Sequence, residues 1–194
     1  MSMRSFIVGI ALAIQATPAA ANGNPVHMVT TGRTSQPIGH YNYCKLYRSD
    51  CRIKSRDTIA PKLTRERWKE LVEVNAYSNA TVAPYTDQEI YNVEEHWTYP
   101  TSYGDCEDYV LMKRHMLMQR GWPPSSLLIT VVRQPNGEGH AVLTVRTDRA
   151  DYVLDNLDGK IRPWNKTPYT YLKRQDVKHS GRWADIRDTK SPSS

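Results

Sequence analysis

A cysteine, a histidine and an aspartate stand in this sequence where they could share one reaction. Cys106 opens an apolar helical pattern, His140 follows Gly139 at the start of a β-rich run, and Asp155 closes the next run. A thiolate attacks acyl carbons, an imidazole accepts and returns the proton, and a carboxylate orients the imidazole. The order and placement of the three residues therefore predict acyl chemistry with Cys106 as nucleophile, His140 as base and Asp155 as orienter.

The other two cysteines bear on this interpretation. Cys44 and Cys51 lie seven residues apart in a polar segment, and in an oxidising compartment their simplest state is a local disulfide. The alternatives are two free thiols or a metal site, for which His40 is the one nearby ligand. The pairing leaves Cys106 as a free thiol, which a nucleophile requires.

The charges around Cys106 oppose one another. The N–H groups and dipole of a helix start lower the pKa of a thiol, whereas the neighbouring carboxylates of Asp105, Glu107 and Asp108 raise it. The sequence therefore predicts a compensating cation, either an imidazolium at His140 or a bound metal ion.

The N-terminus has the pattern of an export signal. Arg4 precedes an apolar run from Phe6 to Ile14, and Ala19 to Ala21 supply small residues for cleavage. This pattern predicts a signal peptide at 1–21, a single domain at 22–187 and a polar tail at 188–194, in a periplasmic or secreted protein. A retained N-terminal anchor is the alternative.

Charge and hydropathy limit the kinds of molecule that the protein is expected to bind. The chain has 26 basic and 20 acidic residues, and loss of Arg4 with the signal changes the net charge from +6 to +5. The basic residues are scattered among acidic ones without a basic stripe with interleaved aromatics, which argues against nucleic-acid binding. No stretch after the signal is apolar enough to predict a membrane span.

The remaining pattern predicts an α+β domain. We expect an extended arm at 22–40, a loop closed by Cys44 and Cys51, and a helix from Thr64 to about Tyr77. Trp68, Leu71, Val72 and Asn75 would share one face of this helix, with Asn75 buried and hydrogen-bonded. A second helix at 105–120 is ended by Gly121, and Thr86 to Glu89 could form a capping box.

Three strand patterns follow the second helix, at 127–132, 140–147 and 152–157, with further short candidates at 160–177. Short connections favour an antiparallel arrangement. His140, Val142 and Thr144 would then share one face, and His140 and Asp155 would lie at the same end of the sheet. Contact with Cys106 requires the helix to pack across that face.

Three segments resemble the signature blocks of the bacterial transglutaminase-like cysteine proteinases. They are Gly104-Asp105-Cys106-Glu107-Asp108-Tyr109, Gly139-His140-Ala141-Val142-Leu143 and Val153-Leu154-Asp155-Asn156-Leu157. The resemblance runs from about Trp68 to about Tyr171. It implies a papain/transglutaminase-like fold, the same roles for Cys106, His140 and Asp155, and a calcium ion held by Asp105 and Glu107.

That family includes periplasmic proteases that release biofilm adhesins, so the resemblance implies a protein substrate, such as an envelope or surface protein. Two features depart from the pattern: the stretch between Trp97 and Gly104 is short, and the Cys44–Cys51 loop is additional. The identity of the substrate and regulation by a membrane-bound receptor therefore do not carry over.

These observations favour an exported cysteine endopeptidase that acts through a thioester intermediate. Acyl transfer to a lysine amine would use the same three residues, and a non-catalytic envelope binding module could keep the same fold. Trp97 is a candidate for the second oxyanion donor beside the backbone N–H of Cys106.

Overall fold

The structure is a computed structural model that describes residues 26–187. The predicted signal peptide and polar tail lie outside the described residues. A seven-stranded antiparallel sheet forms the centre, in the order β1-β9-β8-β4-β5-β6-β7. Its strands are β1 (Thr30–Thr34), β4 (Leu127–Arg133), β5 (Gly139–Arg146), β6 (Asp151–Leu154), β7 (Arg162–Pro163), β8 (Thr170–Asp176) and β9 (His179–Ile186). Two further short strands, β2 (Ala83–Pro84) and β3 (Tyr103–Gly104), pair in parallel.

Within the described residues, four α-helices accompany the sheet: α1 (Ile38–Leu46), α2 (Arg65–Thr81), α3 (Asp87–Tyr91) and α4 (Cys106–Gln119). Together these elements confirm the predicted α+β class, with a cysteine at the first residue of a helix packed on an antiparallel sheet. None of the helices within residues 26–187 has the length and hydropathy needed to cross a bilayer.

Helix α2 begins where its sequence predicts. Thr64 is the N-cap, and its hydroxyl accepts a hydrogen bond from Arg67 N at 3.2 Å, which satisfies one free donor of the first turn. Asn75 is buried and donates to Gly159 O at 3.2 Å, as expected. The buried face is rotated from the predicted one: Val72 is 44% exposed, whereas Leu71, Val74, Asn75 and Ser78 are buried.

Helix α4 and the sheet enclose the main core. Leu111 and Leu117 of α4 pack with Leu143 of β5 and with Leu71 of α2. The helix ends before Gly121, whose φ of +81° is a left-handed conformation that glycine adopts without strain. A second, smaller core lies on the other face of the sheet.

The N-terminal region differs from the extended arm and loop that the sequence predicts. Strand β1 pairs with β9, and Cys44 lies in helix α1 rather than in a loop. Neither change has a strong local signal, because β1 is short and polar and its partner lies about 150 residues away. The predicted disulfide is confirmed: Cys44 and Cys51 are bonded, and Cys106 is the free cysteine among the described residues.

Candidate active site

The ends of three neighbouring strands lie at the same end of the sheet. Because β5 is antiparallel to both β4 and β6, the start of β5 lies beside the ends of its two neighbours. This geometry brings His140, the second residue of β5, to the residue that follows β6, Asp155. The local alternation of the strands predicted this convergence.

His140 and Asp155 form a buried pair. His140 Nε2 lies 2.8 Å from Asp155 Oδ1, and both side chains are less than 5% exposed. The same Oδ1 accepts from Leu157 N at 3.0 Å, and Tyr169 Oη donates to Oδ2 at 2.5 Å. Burial by itself would raise the pKa of Asp155, but the hydrogen bonds and charge of His140 outweigh it and hold the pKa below its usual value. The carboxylate is therefore ionised and fixed on both oxygens.

Cys106 occupies the first turn of α4, with Asp105 as the N-cap. Its thiol donates to Glu107 Oε2 at 2.9 Å. Burial, followed by the charge of Glu107, raises the pKa of the Cys106 thiol well above its ordinary value. The helix N-terminus does not overcome these two effects, so the resting group is a thiol rather than a thiolate.

The helix packs on the face opposite to the one we expected. Residues Ala141, Leu143 and Val145 of β5 face the core shared with α4, whereas Val142 belongs to the core on the other side. Cys106 and His140 therefore share a cleft at the start of β5 instead of lying across the face of the strand.

Cys106 and His140 line one open cleft with a volume of about 240 Å³. Its other lining residues are Pro84, Tyr85, Thr86, Glu89, Gly104, Asp105, Gln134, Gly139, Asn156 and Leu157. Trp97, the candidate oxyanion donor, is not among them. It is buried, and its Nε1 donates to Glu95 Oε2 at 2.8 Å. The indole N–H is thus bonded to Glu95, and the role of Trp97 as second oxyanion donor stays a prediction.

An acidic cluster adjoins the N-terminus of α4. Asp87, Asp105 and Asp108 each direct one carboxylate oxygen into a group whose members all lie within 4.8 Å of one another. Backbone amides hold the first and last of them: His96 N donates to Asp87 Oδ2, and Thr98 N donates to Asp108 Oδ1 at 2.9 Å.

One oxygen of each of the three carboxylates is buried without a hydrogen bond from the described residues. Within residues 26–187, Asp87 Oδ1, Asp105 Oδ1 and Asp108 Oδ2 have no hydrogen-bond partner. Burial raises the pKa of Asp105 to about 8, with a further contribution from Glu107, and burial likewise raises the pKa of Asp108 to about 8. Gly104 leaves room for the Asp108 carboxylate, because a Cβ at this position would lie 2.6 Å from Asp108 Oδ2.

The cluster differs from the metal ligands implied by the sequence resemblance. Asp105 belongs to it, but Glu107 does not. The Glu107 side chain hydrogen-bonds Asp105 and accepts from the Cys106 thiol. Asp87 lies 18 residues before Asp105, and no motif in the sequence joins the two residues.

Two other contacts of Asp155 escaped the sequence analysis. Asn79 of α2 donates to Asp155 O at 2.8 Å, and Tyr169 approaches from the start of β8. Asn79 lies one turn after the predicted Asn75, so the helical period offered a signal for it. Tyr169 had none, because its partner is brought near only by the sheet.

A free cysteine at a helix start beside a histidine–carboxylate pair on an antiparallel sheet defines the transglutaminase-like class of cysteine hydrolases. The family model described as "Bacterial transglutaminase-like cysteine proteinase BTLCP" matches residues 30–191. The chain belongs to this family and is a transglutaminase-like cysteine peptidase. Comparison with curated proteins finds no match.

The fold is also similar to solved structures of LapG from Legionella pneumophila. The calcium-bound LapG structure is 24% identical, with a TM-score of 0.53, over 66% of this chain and 72% of that chain. The EGTA-treated structure is 24% identical, with a TM-score of 0.52, over 63% of this chain and 72% of that chain. At this identity the likeness supports the shared fold.

Proposed function

We propose that this chain is an exported endopeptidase that cleaves peptide bonds with Cys106 as nucleophile, His140 as general base and Asp155 as orienter. The observation that carries the proposal is the buried His140–Asp155 pair, 2.8 Å apart, whose histidine lines one cleft together with the free cysteine Cys106. Since His140 Nε2 is hydrogen-bonded to Asp155, Nδ1 is the nitrogen left to accept the proton of Cys106.

The reaction begins when Cys106 Sγ transfers its proton to His140 and attacks the carbonyl carbon of the scissile bond. The carbonyl electron pair moves to oxygen, and the backbone N–H of Cys106 at the helix start stabilises the oxyanion. Collapse of this intermediate breaks the C–N bond, and the amine leaves with the proton from His140. Water then gives a proton to His140 and attacks the thioester. The C–S bond breaks, and the proton returns to the thiol as the new carboxyl terminus departs.

The resting thiol must lose its contact with Glu107 before this step. Glu107 Oε2 lies 2.9 Å from Sγ and raises the pKa of the thiol together with burial. Anything that reduces the negative charge at the start of α4 therefore favours transfer of the proton to His140.

A calcium ion fits the acidic cluster better than any protein group nearby. Asp87, Asp105 and Asp108 each bring a carboxylate oxygen within 4.8 Å of the others, and each has a buried oxygen without a hydrogen bond within residues 26–187. Calcium prefers such oxygen ligands. The ion would supply positive charge beside the helix that carries Cys106. The calcium-bound LapG structure supports this part of the proposal. Asp105 is common to this ligand set and to the sequence-based one, and Asp87 and Asp108 take the place of Glu107.

Location and substrate complete the proposal. The export pattern at 1–21 and the Cys44–Cys51 disulfide both support a periplasmic or secreted enzyme, since disulfides persist in oxidising compartments. The family implies a protein substrate, and we propose that it is an envelope or surface protein of the same cell.

The test compares wild-type cells with a Cys106→Ala strain by mass spectrometry of new protein N-termini in the envelope and the medium. N-termini that disappear in the variant identify substrates, which are then cleaved with the purified protein in buffer containing calcium. We expect Cys106→Ala and His140→Ala each to lower the turnover of such a substrate at least about 1000-fold, without additivity in the double variant.

The control is His115→Ala, which removes an exposed histidine from α4 and should leave turnover unchanged. Comparable turnover in Cys106→Ala and wild type would end the proposal. A new isopeptide bond in place of a free carboxyl terminus would indicate acyl transfer instead of hydrolysis.

A further inference from the structure

Tyr169 lies beside the histidine–carboxylate pair, although it is remote from it in sequence. It immediately precedes β8, which pairs with β4 in the register Arg133↔Thr170. Since β4 also pairs with β5 through Val132↔His140, the start of β8 lies at the same end of the sheet as His140. The phenol is 6% exposed and belongs to the smaller core.

Tyr169 contacts both members of the pair. Its Oη donates to Asp155 Oδ2 at 2.5 Å, and the centroid of its ring lies 5.5 Å from that of His140, with the planes inclined at 57°. One side chain therefore limits the rotation of the carboxylate through a hydrogen bond and the rotation of the imidazole through packing.

The two carboxylate oxygens of Asp155 have different partners. His140 Nε2 and Leu157 N both bond to Oδ1, and Tyr169 Oη bonds to Oδ2. Contacts to Oδ1 alone would still let the carboxylate turn about its Cβ–Cγ bond. The hydroxyl of Tyr169 removes this freedom and keeps the plane of the carboxylate aligned with the imidazole. The loss of the hydroxyl would also leave a buried charged oxygen with one donor fewer.

We propose that Tyr169 is a positioning residue of this enzyme, which holds Asp155 and His140 in the orientation that presents imidazole Nδ1 to Cys106. The inference rests on the proposed roles of those three residues and adds a fourth member to the unit. Tyr169 is not among the residues that line the cleft with Cys106, so it should act on the rate of the chemical step rather than on substrate binding.

The test uses Tyr169→Phe, which keeps the ring and removes the hydroxyl. The matched control is Tyr171→Phe, two residues along the chain. Tyr171 is also buried in the smaller core, and its hydroxyl lies 2.9 Å from Thr167 Oγ1 rather than from the pair. Both variants and the wild type are purified as the mature full chain with calcium and assayed on a peptide that spans an identified cleavage site.

We expect Tyr169→Phe to lower kcat about tenfold, as loss of a hydrogen bond to a charged group does, with KM changed less than twofold. Tyr171→Phe should keep kcat within twofold of wild type. In an Asp155→Asn background, Tyr169→Phe should lower kcat less than twofold further, because the charged acceptor is already gone.

Three results would overturn the inference: an unchanged kcat in Tyr169→Phe, the same tenfold loss in the Asp155→Asn background, or a fold lost in Tyr169→Phe but kept in Tyr171→Phe. The last result would make Tyr169 a packing residue. Cys106→Ala, assayed in parallel, separates this failure from that of the proposed function. If that variant stays active the proposed function is wrong, whereas a normal Tyr169→Phe beside inactive Cys106→Ala removes only the inference about Tyr169.

Discussion

The Asp155 carboxylate and the acidic cluster differ in how their negative charge is balanced. Asp155 receives hydrogen bonds from His140, Leu157 and Tyr169, and its pKa lies below the usual value. Asp105 and Asp108, in the acidic cluster with Asp87, are also buried, but each has an oxygen without a hydrogen bond within residues 26–187, and each has a pKa raised to about 8. The buried aspartates of the site therefore differ: the pKa of Asp155 is lowered, whereas the pKa values of Asp105 and Asp108 are raised.

The difference teaches which part of the site the protein completes by itself. The Asp155 side is preorganised by hydrogen bonds that form when the sheet forms. The acidic cluster is built at a cost, because buried carboxylates without partners destabilise the folded chain. A bound cation removes this cost. The acidic cluster is therefore suited to respond to calcium, whereas the hydrogen bonds of Asp155 do not depend on the ion.

Among the substitutions of these carboxylates, the largest effect is expected at Asp155. Asp155→Asn should lower kcat about 100-fold or more, because an amide supports the imidazole less well than a carboxylate does and no longer stabilises its charged form. Steady-state kinetics of the purified variant measure this loss. The control is Asp158→Asn, three residues away, which removes only a half-exposed partner of Arg162. Equal kcat values in the two variants would show that Asp155 does not orient the base.

The acidic cluster should respond to calcium. Removal of the ion with a chelator should lower both activity and Tm, and calcium at about 100 times its Kd should restore about 2.7 kcal/mol of stability by mass action. Calorimetric titration and thermal unfolding provide the measurements. Asp87→Asn should abolish the response, whereas Asp57→Asn, an exposed carboxylate, should retain it.

Glu107→Gln separates the two ligand sets. If this variant loses calcium binding while Asp87→Asn retains it, the ligands are Asp105 and Glu107, as the sequence resemblance implies. If wild-type protein that is confirmed to be free of metal keeps full activity and an unchanged Tm, calcium has no role at the cluster.

The disulfide lies apart from both carboxylate groups and should affect stability rather than chemistry. Cys44 and Cys51 are seven residues apart. Closing a loop of this size lowers the entropy of the unfolded chain and so stabilises the folded state by about 2.5 kcal/mol. The double serine variant should lose about this much free energy of unfolding in urea, with kcat unchanged at temperatures where it is folded. Wild-type protein unfolded without reductant should show one titratable thiol, and three thiols would contradict the bond.

A pH-dependent effect on stability is expected from Lys113 of α4, whose side chain is buried. Its Nζ has no hydrogen-bond partner within residues 26–187, and burial lowers its pKa to about 7, an effect that the charge of Asp155 partly offsets. A lysine with a lowered pKa binds fewer protons when folded than when unfolded. Stability should therefore rise with pH, by up to about 1.4 kcal/mol per pH unit, between pH 7 and the pKa of the unfolded lysine near 10.4.

Lys113→Met should be more stable than wild type at pH 6 and should show a flatter dependence on pH from 7 to 9. Urea unfolding at several pH values measures both quantities. The exposed Lys69→Met is the control, and it should leave the pH dependence as it is in the wild type. A parallel pH dependence in Lys113→Met and wild type would show that Lys113 is charged in the folded state.

Local features of the fold followed from the sequence because short-range physics determines them. The Thr64 cap, the capping box at Thr86, the start of α4 at Cys106 and its end before Gly121 depend on residues within one or two helical turns. The nearness of His140 and Asp155 followed from the antiparallel connection of adjacent strands. The disulfide followed from spacing and compartment.

What only the tertiary structure decided involves residues far apart in the chain. The pairing of β1 with β9, the face of β5 that α4 covers, the approach of Tyr169 to Asp155 and the addition of Asp87 to the acidic cluster all depend on how complete elements pack. Their stability comes from apolar area buried between distant segments, offset by the entropy of closing long loops. A one-dimensional pattern of polar and apolar residues indicates that a segment is buried but not what it is buried against.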